Sequence, residues 1–204
     1  MSIVERAKNI IFKPTDEWNI IAAEPATIGR LFTGYAMPLA LIPAVMGIAA
    51  AVLFNSLLSE YVAGGAVELT ASDLVTQMVM GYVLGLVLLM AMAYLVKAIS
   101  PSFNGGNELI QATKLIIYAG TPAWVFAIFL IIPFLGFIVY LGGLAYSVYL
   151  IYLGLHPVLR VPKEKVAGMT VVVILAYLAG AVIVYIIQQS LIGLGGATST
   201  LSGA

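Results

Sequence analysis

His156 is the one histidine in the sequence, and it stands directly before Pro157 with no second imidazole to join it. A histidine-based metal site needs further ligands at fixed spacing, such as a pair one helical turn apart. The chain has no cysteine, so thiolate ligands, disulfides and a cysteine nucleophile drop out, and no thiol signals a redox compartment. No nucleophile elbow, phosphate-binding loop or nucleotide fingerprint occurs in the sequence. Catalytic, cofactor-binding and metal-binding residues are therefore expected to be absent, and His156 reads as a solvated helix end. What remains for polar chemistry falls in three stretches: Asp16, Glu17, Trp18, Asn19 and Glu24; then Asn104 to Gln111; then His156 and Arg160. If all three lie on one face, Asp16, Glu17, Trp18, Glu24, Asn107, Glu108 and His156 form a candidate cytoplasmic polar cluster. The plainer alternative is three separate solvated loops.

The elements that must position these residues are apolar. Hydrophobic residues make up 62% of the 204 and charged residues 9%, against about a quarter in an ordinary soluble domain. A water-facing surface cannot be built from that supply, and a net charge of zero leaves no electrostatic footprint for nucleic acid. A membrane-crossing helix needs about 20 apolar residues. Charge-free runs at 31–58, 74–96, 115–132, 134–155 and 166–194 are of that order. Glu5, Arg6 and Lys8 interrupt the N-terminal apolar residues, so a cleavable signal is not expected and the first run is read as a retained span. The stretch 115–155 would extend roughly 60 Å as one helix, about twice the bilayer core. Pro133 and Gly136 break it. The expected fold is all-α: a polytopic bundle of five transmembrane helices whose third and fourth form a hairpin centred on Pro133. The turn Leu130 to Gly136 carries no polar side chain, so a re-entrant pair buried in protein is the alternative to two full crossings.

Lys and Arg counts orient the chain. Segment 1–30 holds Arg6, Lys8, Lys13 and Arg30; the second connection holds Lys97 and Lys114; the fourth holds Arg160, Lys163 and Lys165. The first loop, with Glu60, Glu68 and Asp73, has none, and neither has the tail. All nine cations thus fall on alternate connections, which places the N-terminus in the cytoplasm and the C-terminus outside. Tyr35, Tyr94, Tyr118, Tyr149 and Tyr152 lie near the cytoplasmic ends, as an interfacial belt would. The expected domains are a cytoplasmic amphipathic segment, 1–30, the membrane domain, 31–194, and a flexible exterior tail, 195–204.

Within segment 1–30, Ile3, Val4, Ala7, Ile10 and Ile11 recur at near-helical spacing, which reads as a short helix lying on the membrane face. Pro14 stops it, and Thr15 can cap a second turn. Pro38, Pro43, Pro122 and Pro133 are expected kinks; the first three free the carbonyls of Gly34, Leu39 and Tyr118. Such carbonyls can line a solute path, but more often a neighbour satisfies them. Gly81 with Gly85, and Ala176 with Gly180, are small-residue pairs that allow close helix packing.

Three patterns together resemble the Yip family, the Ypt/Rab-GTPase-interacting integral membrane proteins, in its bacterial branch. They are Phe12-Lys-Pro-Thr-Asp-Glu-Trp18 ahead of Glu24-Pro25, Tyr118-Ala-Gly-Thr-Pro122, and Tyr146-Ser-Val-Tyr-Leu-Ile-Tyr-Leu-Gly-Leu155. The resemblance covers roughly residues 12–189. It implies five spans, a cytoplasmic N-terminus and no catalytic residues. In eukaryotes it implies trafficking through Rab GTPases. Here the segment before the first span lacks the long extension and acidic tyrosine motif, so Rab contact is not carried over. The expected role is non-enzymatic, in a bacterial inner (plasma) membrane, with lipid, itself or other membrane proteins as partners. A transporter or channel for a neutral or lipidic solute is the alternative, which a proteoliposome flux assay would detect.

Overall fold

In the computed structural model the described residues are 1–58 and 71–202, the side chains of 58 and 192–202 excepted. Glu60 and Glu68 of the first loop lie outside them.

Two short helices open the chain, α1 (Ile3–Phe12) and α2 (Pro14–Ala23). Ser2 and Glu5 have capping-box spacing, and the Ser2 hydroxyl accepts from the Glu5 amide at 3.2 Å. Pro14 rather than Thr15 begins α2, in the first turn where a missing N–H leaves no bond unmade. The first span begins with α3 (Ile28–Leu31), capped by Thr27, passes through a π-helical stretch (Phe32–Ala36) and continues as α4 (Met37–Leu58). Next come α5 (Ala71–Ile99) with a 3₁₀ turn at Ser100–Phe103, then α6 (Leu109–Ala119) and α7 (Thr121–Phe126) with a second 3₁₀ turn at Ala127–Ile131. The long helices α8 (Leu135–Leu159) and α9 (Lys163–Ser202) follow. Segment 195–202, expected as a tail, continues the last helix.

Among the described residues five helical segments are long and apolar enough to cross a membrane: Ile28–Leu57, Ala71–Phe103, Leu109–Ile131, Leu135–Leu159 and Lys163–Leu191. The fold is the all-α polytopic bundle that composition required. The third segment starts at Leu109 rather than at 115, so it takes in Lys114, a charge that the apolar runs leave outside. It is also the most enclosed of the five, with every residue from Ala112 to Ala119 buried.

The turn between the third and fourth spans sits at the far end of the first. Phe134 and Phe54 meet edge to face, ring centroids 5.8 Å apart, and Phe54 lies near the end of α4. With 25 residues, α8 is about 37 Å long, enough for a core of about 30 Å. The hairpin therefore reaches as far along the bundle as the first span does. Phe134 holds a φ of +59°, and the Leu135 amide reaches back to the Pro133 carbonyl at 2.6 Å, closing a three-residue turn.

The core is uneven. Ile10, Trp18, Leu115, Leu150, Leu155 and Met169 are fully buried, at the end of the bundle that carries the N-terminal helices. Toward the other end, Val52 and Leu57 of α4, Val75 and Val79 of α5, and Val182 and Ile186 of α9 turn outward.

Candidate functional site

The first two helices pack against the bundle. They fold into a hairpin, α1 against α7 and α2 against α8 and α6, and the face turned inward includes a charge. Arg6 falls on the same stripe as Ile3, Ala7 and Ile10, and it is 5% exposed. Glu17, on α2, is 2% exposed and meets Arg6 Nη1 with Oε1 at 2.5 Å. Arg6 Nη2 pairs with Glu24 Oε2, and the guanidinium lies 5.5 Å from the centre of the Tyr118 ring. A buried arginine is tolerable because two carboxylates and an aromatic face replace the water it has lost.

The end of α2 is finished by α6. Helices leave their last carbonyls unpaired, and a cation near that end also interacts favourably with the helix dipole. Lys114 Nζ donates to the carbonyls of Ile21 at 2.8 Å and Glu24 at 2.6 Å, while Gln111 Nε2 donates to Ala22 at 3.2 Å. Gln111 and Lys114 are three residues apart, hence on one face of α6. Trp18 completes the joint by packing into the notch at Gly154: a Cβ there would stand 2.6 Å from Leu115 Cδ1 and 2.8 Å from Trp18 Cε2. Farther along α8, the Tyr146 hydroxyl donates to the Ile11 carbonyl at 2.7 Å.

The expected polar cluster therefore divides. Glu17 and Glu24 come together, but with Arg6 and Lys114, which the sequence places only as cytoplasmic cations. Trp18 is a packing residue, and Asp16 is exposed. Asn107 and Glu108 are exposed on a loop pinned elsewhere: the Gly106 amide donates to the Leu159 carbonyl at 2.6 Å. His156 is exposed, with Nδ1 2.8 Å from the Val161 carbonyl, and lines a separate groove with Thr15, Asn19 and Lys163. The signal that could have found the joint is a charge on the apolar stripe of α1. Two belt tyrosines also move inward: Tyr35 and Tyr118 are buried edge to face, centroids 4.7 Å apart, while Tyr94, Tyr149 and Tyr152 stay exposed.

The prolines are accommodated locally. The π-helical stretch ends just ahead of Pro38, where the normal bonding pattern cannot continue, and the Tyr82 hydroxyl donates to the Met37 carbonyl at 3.1 Å. Pro122 lies in the first turn of α7, and the Tyr118 carbonyl it frees accepts from Thr121 Oγ1 at 2.8 Å. That hydroxyl proton is committed, so the Tyr35 hydroxyl, 2.9 Å away, is the donor to Thr121. Pro43 lies inside α4 beside a cleft of about 400 Å³ between α4, α5 and α9, where Gly81, Gly85, Gln77 and Gln188 also line the wall. Of the small-residue pairs, Gly180 makes a close approach: a Cβ there would be 2.5 Å from Leu88 Cδ1, whereas Gly85 faces open space.

A family model described as the Yip1 domain matches residues 8–186, from within α1 to within α9. No curated protein matches, and no solved structure matches. Glu17, Glu24 and Lys114 fall inside the matched segment; Arg6 lies two residues ahead of it.

Proposed function

The chain belongs to the Yip1-domain family of integral membrane proteins, and on that premise we propose that it works without catalysing a reaction. It organises the membrane or binds partners through helix–helix or lipid association. The observation that carries this is the use made of its buried charges. Arg6 and Glu17 tie α1 to α2, and Lys114 ties the end of α2 to α6 through backbone carbonyls. That is the arrangement of a docking platform rather than of a proton-transfer site. The large apolar residues turned outward along α5 and α9 supply the surface for lipid or for another membrane protein. In nanodiscs and in cells, crosslinking across these helices is expected to trap a second copy or another membrane protein. Protein that stays monomeric and captures nothing in the membrane would sink the association reading.

The proposed setting is the inner membrane of a bacterium, multi-pass, with the N-terminal hairpin cytoplasmic. An odd number of spans supports opposite sides for the two chain ends, and the Lys and Arg residues lie on the N-terminal segment, on the connections that would share its side, or in the span turns next to them. A reporter fused after Ala204 is expected to be active only outside; cytoplasmic activity would overturn the orientation.

A further inference from the structure

Beside the Arg6 joint is a pocket of about 310 Å³, bounded by the start of α1, the α2–α3 connection and the first turns of the first span. Its ionisable lining includes Arg6, Arg30 and Glu24. Glu24 already accepts from Arg6, which draws its negative charge to one wall. Arg30 is exposed, and its guanidinium has no ion pair or hydrogen-bond partner among the described residues. Tyr118, which reaches the pocket from α6, has a hydroxyl equally without a partner among them. The pocket thus offers a guanidinium fork and a hydroxyl, the donors that fit phosphate oxygens.

Its place in the fold indicates where that phosphate comes from. Arg30 is the third residue of the first span and Tyr35 the eighth, so the pocket lies where a helix passes from headgroups into hydrocarbon. Gly34 also lines it; it is exposed, and a Cβ there would meet nothing within 4 Å, which leaves open space against the backbone of the span. We propose that this pocket seats the phosphodiester of an anionic phospholipid, its phosphate between Arg30 and Tyr118 and one acyl chain laid over Gly34. The site rests on the lipid-association half of the proposed function and names its ligand class. Free phosphate shares the headgroup chemistry but gains nothing from the bare backbone at Gly34.

The test is native mass spectrometry of the full chain ejected from phosphatidylcholine nanodiscs containing phosphatidylglycerol. Wild type is expected to retain one phosphatidylglycerol under conditions that strip phosphatidylcholine. Arg30→Gln removes a charge-assisted contact and is expected to weaken retention at least about tenfold. Gly34→Leu keeps every charge, occupies the space the acyl chain would take, and is expected to weaken it too. Arg160→Gln, which removes an exposed cation away from the pocket, retains the lipid. Retention unchanged in both Arg30→Gln and Gly34→Leu overturns the site, and so does equal loss in Arg30→Gln and Arg160→Gln, the mark of diffuse surface charge. Displacement of the lipid by inorganic phosphate would convert it to a free-anion site and overturn the lipid assignment. Because retention is read on single chains, its failure leaves crosslinked partners standing, and absence of partners leaves the lipid result standing.

Discussion

Glu17→Ala is expected to cost about 3–5 kcal/mol of stability and to loosen the N-terminal hairpin, because it strands a buried guanidinium. Arg6 and Glu17 are 5% and 2% exposed, so neither charge has water to fall back on. Glu24 cannot make up the loss fully: its side chain is 46% exposed, and it already holds the other guanidinium nitrogen. Glu24→Ala, which removes a half-exposed partner, is expected to cost about 1 kcal/mol or less. The readout lies next door. Trp18 is fully buried against Gly154, so a loosened hairpin should red-shift its fluorescence and raise amide exchange across α1 and α2 before the spans respond. Replacing both partners at once, Arg6→Met with Glu17→Leu, should recover much of the stability. If Glu17→Ala unfolds no earlier than Glu24→Ala, the buried pair does not hold the hairpin.

Gly136→Ala is expected to cost about 3 kcal/mol, the upper end of what overpacking does, and to disturb the hairpin of the third and fourth spans. A Cβ on Gly136 would collide with the carbonyl oxygen of Phe129, and also stand 2.6 Å from its carbonyl carbon. These are backbone atoms, so no side chain can rotate out of the way. The Gly136 amide donates to the Ile132 carbonyl at 2.9 Å, which fixes it in the turn. Gly142, farther along α8, supplies the matched control. A Cβ there meets nothing within 4 Å, and alanine is the better helix former by roughly 0.5–1 kcal/mol. Thermal unfolding in one detergent should therefore rank Gly142→Ala at or above wild type and Gly136→Ala well below it. Equal values for the two variants would mean that the turn does not depend on a bare backbone at 136.

How much of this is legible in the sequence differs from residue to residue. Pro133 and Gly136 announce the hairpin because their effect on a helix is local and nearly independent of context. The depth of the hairpin is not legible, since its apolar residues suit a buried turn and a lipid-facing one alike. Phe54 against Phe134 sets the turn beside the far end of the first span. The carbonyl freed by Pro122 can be named from the sequence, but Thr121 as its donor requires the rotamer that points one hydroxyl back at Tyr118. Arg6 escapes sequence reasoning for a clearer reason. A charge in an amphipathic segment is scored as facing water, and only the approach of Glu17 and Glu24 makes the opposite placement tolerable.

By itself, the sequence determined that this chain is a membrane bundle of five helices and where those helices begin and end to within several residues. The physical reason is that the transfer of apolar residues to hydrocarbon sums along the chain, whatever the partners are. Tertiary structure alone decided that the N-terminal segment is part of the bundle. It joined Lys114 to the carbonyl of Ile21, 93 residues away, placed Trp18 in the notch at Gly154, and parted Asn107 and His156 from Glu17. Contacts of that kind depend on which faces meet, and a charge or a glycine does not declare its partner until the helices have packed.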